Sequence, residues 1–515
     1  VSVVDDEEEH AGEPEAEASA RAPFADVVAR GIDAAKRFLR TPDGTPFTLL
    51  AAIALVWVIV FSWLVVLRHE RYGSFDFDAG IFGQAAWLSA HGSQFDTVRG
   101  LPLFGHHGTF GFYLFAPFYW VGLGGPNLMN VAQVLALGAI PLVVYWVARR
   151  LALEPWIAWI AGIVCLLHFA MSWLAQELFH PEVFAIAPLL AAYGFALREQ
   201  QRPYWVMLGL AVIWKEDVAL AIIGLGALLL LQRHRRRGLY TIAFGFAWFI
   251  LMTQLVVPLF SPTGEAFYAE GFYGDLGDNL GGIGWSFVAH PGRVAEHLDN
   301  ADAFGYVRDL WAPFAFVNLL APATLLIGLP QLLANLLSVH GFTWDLRFHY
   351  VALPLMASML GFVLGLRRLR SVRLRSFAAG LALAAALATT LSWGVGPYSR
   401  HYRTGYWPLQ ANSEQAELDH AVSLVPGGAP VSASYHLVPH LTDRHEIYSF
   451  PNPFRPRNWG IDDEKTRDPD RIEWIVVNKA DLGEEDQALL DDILADPGFE
   501  VVYEEGNALV ARREE

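Results

Sequence analysis

The segment FDFDAGIFGQ at 75–84 sets two carboxylates, Asp76 and Asp78, among Phe75, Phe77, Ile81 and Phe82. Acids held between aromatic side chains at the edge of a long apolar run are placed to take up a proton or hold a cation against a bilayer surface. Further along, ELFHPE (177–182) supplies Glu177, His180 and Glu182, and WKED (214–217) interrupts an apolar hairpin with Lys215, Glu216 and Asp217. A fourth group, His340, Arg347, His349 and Tyr350, precedes another apolar run. Ionisable groups at membrane depth cost on the order of several kcal/mol unless they are paired or functional. The four groups are therefore expected to converge on one outer face. Asp78 is the first candidate for catalysis, with Asp76 and Glu182 beside it. His180, Lys215, Glu216, Asp217, Arg347, His349 and Tyr350 are the expected substrate-binding set. Asp78, His106 and His107 are the candidate metal ligands, the last two adjacent in HHGTFGF.

Each group also has a structural reading. Asp76 and Asp78 can cap a helix over AGIFGQAAWLSAHG. WKED can be an ion network that closes a helix break, His106 and His107 can lie exposed in a glycine-rich loop, and His349 and Tyr350 can anchor a helix at the interface.

What must position these residues is a membrane protein. The chain has 515 residues, 54% of them hydrophobic and 17% charged, and the apolar residues come in long blocks. The lone Cys165 lies inside an apolar run, which excludes a disulfide framework and a cysteine metal site. Part of the net charge of -17 comes from DDEEEHAGEPEAEASA near the amino end, which reads as a disordered acidic tail. The first apolar run starts near residue 47, after Arg30, Lys36, Arg37 and Arg40. That order implies a retained membrane helix with a cytoplasmic amino end rather than a cleaved signal.

Runs of roughly 18–22 apolar residues, with Arg-rich loops kept inside, give about eleven transmembrane helices. They begin with 47–67 and end with 376–394. Large outer loops are expected at 68–125 and 260–303, and short helical pairs at 203–231 and 304–338. FGFYLFAPFYWVGLG (110–124) suits an interfacial segment better than a span. After Trp393 the composition turns polar, and 395–515 reads as a small soluble α/β domain. The division is thus 1–46 as tail and basic juxtamembrane segment, 47–394 as the transmembrane domain, and 395–515 outside. The protein is expected in the plasma membrane, multi-pass, with its amino end cytoplasmic and its carboxyl end extracytoplasmic.

Acids in the first outer loop, nearby cations and a membrane-embedded cleft suit sugar transfer from a polyprenyl phosphate. The acceptor hydroxyl loses its proton to a carboxylate while cationic groups or a divalent cation meet the departing phosphate. FDFDAGIFGQAAW, HHGTFGFYLFAPFYW, FHPE, WKED, LPQLLANLLS with the later HY, and VSASYHLVPHLTDRHEIYSFP together resemble a family of bacterial and archaeal membrane proteins known as a membrane domain of unknown function. That family in turn resembles, more distantly, the GT-C integral-membrane glycosyltransferases, such as protein mannosyltransferases and the lipid A aminoarabinose transferase. The resemblance implies a GT-C-like transmembrane domain and gives Asp78 the position of the family's loop acid. Glu177 and Glu182 are the candidates for a second acid. The implied partners are a polyprenyl-phosphate sugar donor, membrane lipid, and an envelope glycan, lipid or protein as acceptor; no nucleic acid is expected. Two other functions compete. Broken helices around WKED also suit a lipid or small-solute transporter or flippase, and an inactive site would suit a noncatalytic envelope-assembly scaffold.

Overall fold

The computed structural model describes residues 30, 33, 36–262, 264, 271–277, 279–411, 413–457 and 468–514. The acidic tail read from the sequence lies outside them, as does part of the 260–303 loop. From Gly44 the chain forms α1 (Gly44–Glu70), a π-turn at Asp76–Gly80, α2 (Ile81–His91) and a two-stranded ribbon, β1 (Phe95–Asp96) with β2 (Leu101–Pro102). The membrane part continues through α3 (Pro126–Arg150), α4 (Pro155–Leu167), α5 (Phe169–Gln176), α6 (Val183–Ala196), α7 (Gln201–Val212), α8 (Val218–Leu231) and α9 (Arg235–Leu251). Then come α10 (Leu280–Ala289), α11 (Pro291–Asn300), α12 (Ala303–Trp311), α13 (Leu325–Leu337), α14 (Ala352–Arg368) and α15 (Val372–Trp393).

The expectation of about eleven transmembrane helices is corrected here. Among the described residues five helices are long and apolar enough to cross a membrane: Gly44–Glu70, Pro126–Arg150, Arg235–Phe260, His349–Arg368 and Val372–Trp393. A sixth arises if α4 and α5, which meet at 45°, form one broken span. Hydropathy overcounted because apolar composition continues across breaks that the backbone does not ignore. The one-residue break at His168, the FHPE and WKED turns and the prolines near 313–330 cut the remaining apolar sequence into shorter pieces. A 14-residue helix such as α6 or α8 rises only about 21 Å, short of a hydrocarbon core of about 30 Å.

The long helices show why lipid is their solvent. On α1, Leu50, Ala54, Trp57, Phe61, Leu64 and Val65 are buried, while Leu55, Val56, Ile59 and Trp63 on the other side are exposed apolar residues. An apolar outer face of that kind needs hydrocarbon, not water. The 110–124 segment forms a tight turn and one short helix, Ala116–Trp120, with Leu114, Phe118, Trp120 and Leu123 exposed.

The helix ends sort into two poles. At one, Arg149 pairs with Asp43, Arg375 with Glu154 at 2.9 Å, Arg150 with Gln200 at 3.0 Å, and Arg237 donates to the Ala196 carbonyl. At the other lie the π-turn, FHPE and WKED. The polar carboxyl-terminal region caps that second pole. It holds α16 (Gln415–Ser423), β3 (Val431–Ala433), β4 (Ile447–Ser449), β5 (Trp474–Asn478), α17 (Glu484–Ala495), β6 (Phe499–Glu505) and β7 (Ala508–Arg513). The sheet order is β4-β3-β5-β7-β6, with β3 parallel to β4 and β5 and the remaining pairs antiparallel.

This cap is bonded to the first loop. Thr97 Oγ1 donates to the Ile447 carbonyl at 2.6 Å and accepts from the Ile447 amide at 2.9 Å, so a side chain takes the place of a neighbouring strand at the edge of β4. Gln84 Nε2 donates to the Arg444 and His445 carbonyls, and Tyr72 donates to Asp419 at 2.8 Å. Ile81, Phe82, Ala85 and Val98 share one apolar cluster with Val431, Leu437, Val438 and Ile447.

Glycine sets the closest helix crossing. A Cβ at Gly224 of α8 would stand 2.0 Å from the Leu326 carbonyl oxygen, whereas one at Gly209 of α7 meets nothing within 4 Å. Gly224→Ala is expected to destabilise by about 1–3 kcal/mol through overpacking, and Gly209→Ala to stabilise by up to about 1 kcal/mol through helix propensity. Thermal unfolding in detergent compares the two; equal effects would contradict the close crossing of α8 and α13.

Candidate active site

Polar side chains clamp the turns that carry the site. Gln133 and Asn130, buried on α3, accept from the His180 amide at 2.5 Å and the Phe179 amide at 3.1 Å. Gln133 Nε2 donates in turn to the Leu174 carbonyl at 2.7 Å and to that of Leu178. Leu178 is held at φ +72°, a conformation that costs a buried leucine on the order of 1–3 kcal/mol. The clamped turn fixes where His180 points. Arg68 ties the end of α1 to the same region by donating to the Gly73 carbonyl at 2.7 Å and to that of Gln176. Asn335 donates to the Tyr350 carbonyl at 2.9 Å and so holds the His349–Tyr350 turn.

The clamped side chains form a continuous chain of charge. Asp78 Oδ2 lies 3.7 Å from His180 Nε2, and His180 Nε2 lies 3.9 Å from Glu177 Oε1. Glu177 Oε1 accepts from His349 Nδ1 at 2.9 Å, while His349 Nε2 is 3.6 Å from Glu182. Lys215 closes the chain at 3.1 Å from Glu182 and 3.9 Å from Asp217. The two imidazoles stack with centroids 3.9 Å apart. His180 and Glu182 are buried, whereas the Asp78 side chain keeps 25% of its surface exposed and that of Asp217 22%, so the two ends of the chain are the carboxylates that solvent reaches.

The charge states follow from this packing. Burial alone would push Asp78 up, but His180 and His349 outweigh it and hold the carboxyl below its ordinary value. Burial would lower His180, yet Glu177, Asp78 and Glu182 raise it to about 9. Glu182 is held low against its burial by Lys215, His349 and His180, and Lys215 is held high against its own by Glu182 and Asp217. Burial dominates at Asp217, which is pushed up to about 7. Carboxylates packed around two imidazoles draw positive charge, as a proton or as a metal ion.

Of the residues expected from sequence, Asp78, His180, Glu182, Lys215, Asp217 and His349 come together. Tyr350 adjoins them, its ring centroid 6.0 Å from Lys215 Nζ. Glu216 turns to the other side, where His107 Nδ1 bonds Oε1 at 2.8 Å and the Gly108 amide donates to Oε2 at 3.0 Å. Asp76 is fully buried, accepts from Ser449 of β4, and is pushed up to about 6 by burial. Arg347 binds Asp345 and, at 3.1 Å, the Tyr406 hydroxyl; neither partner belongs to the chain of charge. His340 stacks on Phe342.

The metal-compatible donors also differ from the expected ones. Among the described residues Glu177, His180 and His349 offer ligand atoms all within 4.8 Å of one another. Oε2 of Glu177 and Nε2 of His180 are buried without a hydrogen-bond partner, which suits an ion between them. His106 and His107 instead line a small pocket with Asp96 and Arg99. Gln133, Asn130 and Asn335 were missed as site residues, although amides recur at turn spacing in their apolar helices, Asn127, Asn130 and Gln133 on α3 and Gln331 and Asn335 on α13.

The family described as predicted membrane protein (DUF2079) matches residues 68–510. The chain belongs to this family. The matched DUF2079 region runs from the end of α1 into β7 and takes in every residue of the charge chain. No curated protein matches the chain. Among solved structures, ArnT from Cupriavidus metallidurans bound to undecaprenyl phosphate is similar at a TM-score of 0.51 and 15% identity, over 90% of this chain and 97% of that one. This DUF2079 member therefore shares its fold with a GT-C glycosyltransferase.

The Lys215–Glu182 pair gives a direct check on the charge chain. Lys215→Met leaves Glu182 buried without its closest cation, a change worth about 3–5 kcal/mol. The double variant Lys215→Met/Glu182→Gln is expected to recover at least half of the loss in thermal stability. A double variant as unstable as the single one would show that the two groups are not energetically coupled.

Proposed function

We propose that this protein is a membrane glycosyltransferase that moves a sugar from a polyprenyl-phosphate donor to a hydroxyl-bearing acceptor. The observation that carries the reading is Asp78, a partly exposed carboxylate kept ionised by His180 at the mouth of a buried chain of charge, on a fold shared with ArnT. ArnT's bound undecaprenyl phosphate supports a lipid phosphate as ligand of this chain as well.

In the proposed reaction Asp78 accepts the proton of the acceptor hydroxyl as its oxygen bonds the anomeric carbon. The bond from that carbon to the phosphate oxygen breaks, and the polyprenyl phosphate leaves. His180 orients Asp78 and keeps it unprotonated between turnovers. Lys215 sets a fixed positive charge at the inner end of the chain and contributes to the field that meets the leaving phosphate. Asp76, buried against Ser449, shapes the loop rather than reacting. Glu177, His180 and His349 would hold a divalent cation, which when bound supplies electrostatic neutralisation of the phosphate, with His180 then neutral.

The proposed orientation follows from the two poles. We assign the Arg-rich pole to the cytoplasm by the preference of basic residues for that side, and the capped pole with the carboxyl-terminal region to the outside of the plasma membrane. A reporter fused after Glu515 that works only in the cytoplasm would reverse it.

Two measurements test the activity and its cation. Vesicles given labelled polyprenyl-phosphate sugar should show transfer that Asp78→Asn lowers by about 10²- to 10⁴-fold, with insertion unchanged. Undiminished transfer by Asp78→Asn removes the assigned base, and lipid translocation without transfer in the wild type favours a flippase. Metal analysis after loading with Zn²⁺ or Mn²⁺ should find an ion that His180→Ala/His349→Ala loses and His106→Ala/His107→Ala keeps. The reverse pattern would return the metal to the histidine pair of the first loop.

A further inference from the structure

The parallel strands β4, β3 and β5 present their carboxyl ends to the loop that carries Asp76 and Asp78. Ser449, the last residue of β4, bonds Asp76. Tyr435, just beyond β3, stacks on Phe75 with ring centroids 5.5 Å apart and planes 6° from parallel. The next residue, His436, bonds through Nδ1 to Asp481 Oδ1 at 2.9 Å, and Asp481 follows β5.

Asp481 is a built anchor. Its Oδ2 also accepts from the Ser434 hydroxyl at 3.2 Å and from the His436 amide at 3.4 Å, and Ser434 is fixed in turn by the Asn478 amide at 2.9 Å. A carboxylate on Nδ1 makes that nitrogen the proton donor and leaves Nε2 as an acceptor. The Asp481 side chain is 9% exposed and that of His436 37%, so the imidazole projects from a rigid base toward open space. The first loop shares that space: burial first, then Asp76, Asp78 and Asp481, push the Tyr435 phenol up to about 12.

Carboxyl edges of parallel strands are where open sheets bind ligands. Three acids, Asp76, Asp78 and Asp481, face this edge against one fixed cation, Arg68, a balance that disfavours a second phosphate. An aromatic platform beside hydrogen-bond acceptors suits a polyol. We infer that Tyr435 and the Asp481-anchored His436 form a sugar-hydroxyl subsite, contributed by the carboxyl-terminal sheet, next to Asp78. It rests on the glycosyltransferase reading for its use in turnover, but its binding is measured independently of turnover.

The test uses the full chain purified in detergent, with mannose, galactose and N-acetylglucosamine as separate probes in saturation-transfer NMR. Undecaprenyl phosphate binding is followed in parallel by native mass spectrometry. The wild type is expected to bind at least one sugar, and His436→Ala to weaken it by about five- to tenfold, the worth of one hydrogen bond. His436→Gln, which keeps an acceptor, should retain part of the binding. Tyr435→Phe, which keeps the stack on Phe75, should retain most of it. These two conservative variants carry the test if His436→Ala loses its fold. Undecaprenyl phosphate should bind all variants alike. Absence of sugar binding in the wild type, or His436 variants that bind as the wild type does, overturns the subsite. Sugar binding with the expected losses but no lipid binding leaves the subsite standing and removes the lipid-linked donor.

Discussion

The arrangement of this protein depends on keeping several ionised groups in a place that water barely reaches. A carboxylate or ammonium moved from water into a low-dielectric interior loses solvation worth several kcal/mol even after relaxation, as an order of magnitude. Lys215 recovers that loss only because Glu182 and Asp217 stand beside it, and Glu182 recovers its own through Lys215 and His349. The pairs are linked, since Glu177 touches both His180 and His349, and Glu182 both Lys215 and His349. The helix breaks at FHPE and WKED follow from this need: two turns must present side chains to each other where continuous helices would point them into lipid. The buried amides of Gln133, Asn130 and Asn335 then satisfy the backbone groups that the breaks release.

The carboxyl-terminal cap is part of the same device. Thr97 completes the hydrogen bonding of β4 at Ile447, Ser449 bonds Asp76, and Phe75 lies flat against Tyr435. The loop bearing Asp78 is thus held from below by the membrane helices and from above by the sheet. A carboxylate so supported keeps its geometry without a ligand, and preorganisation of this sort lowers the cost of meeting a transition state.

The sequence showed which charged groups gather more clearly than it showed the architecture. Asp78, FHPE, WKED and the His349 turn stood out because charge in an apolar context is rare, and the structure joins them. The same signal misled at Arg347, whose partner Asp345 lies two residues away and makes a local pair. The sequence ranks Asp78 above Asp76 as the reactive acid, and the π-turn buries Asp76 against Ser449 while it leaves Asp78 partly open. The partner that takes up Asp76 lies 373 positions away, which local sequence does not register. The count of about eleven spans failed because composition does not register where a helix ends; α6 and α8 are as apolar as true spans but too short. Strands β3 to β7 were legible from alternation and turn residues, while the His436–Asp481 anchor needed the sheet to bring β3 and β5 side by side.

The most direct test of this account is the density map of the protein in lipid nanodiscs with undecaprenyl phosphate added. The account predicts the phosphate at the capped pole, within reach of Asp78, His180 and Lys215, with its chain leaving between the helices toward lipid. A phosphate bound at the Arg149–Arg375 pole, or a capped pole occupied by no lipid at saturating concentration, would contradict it.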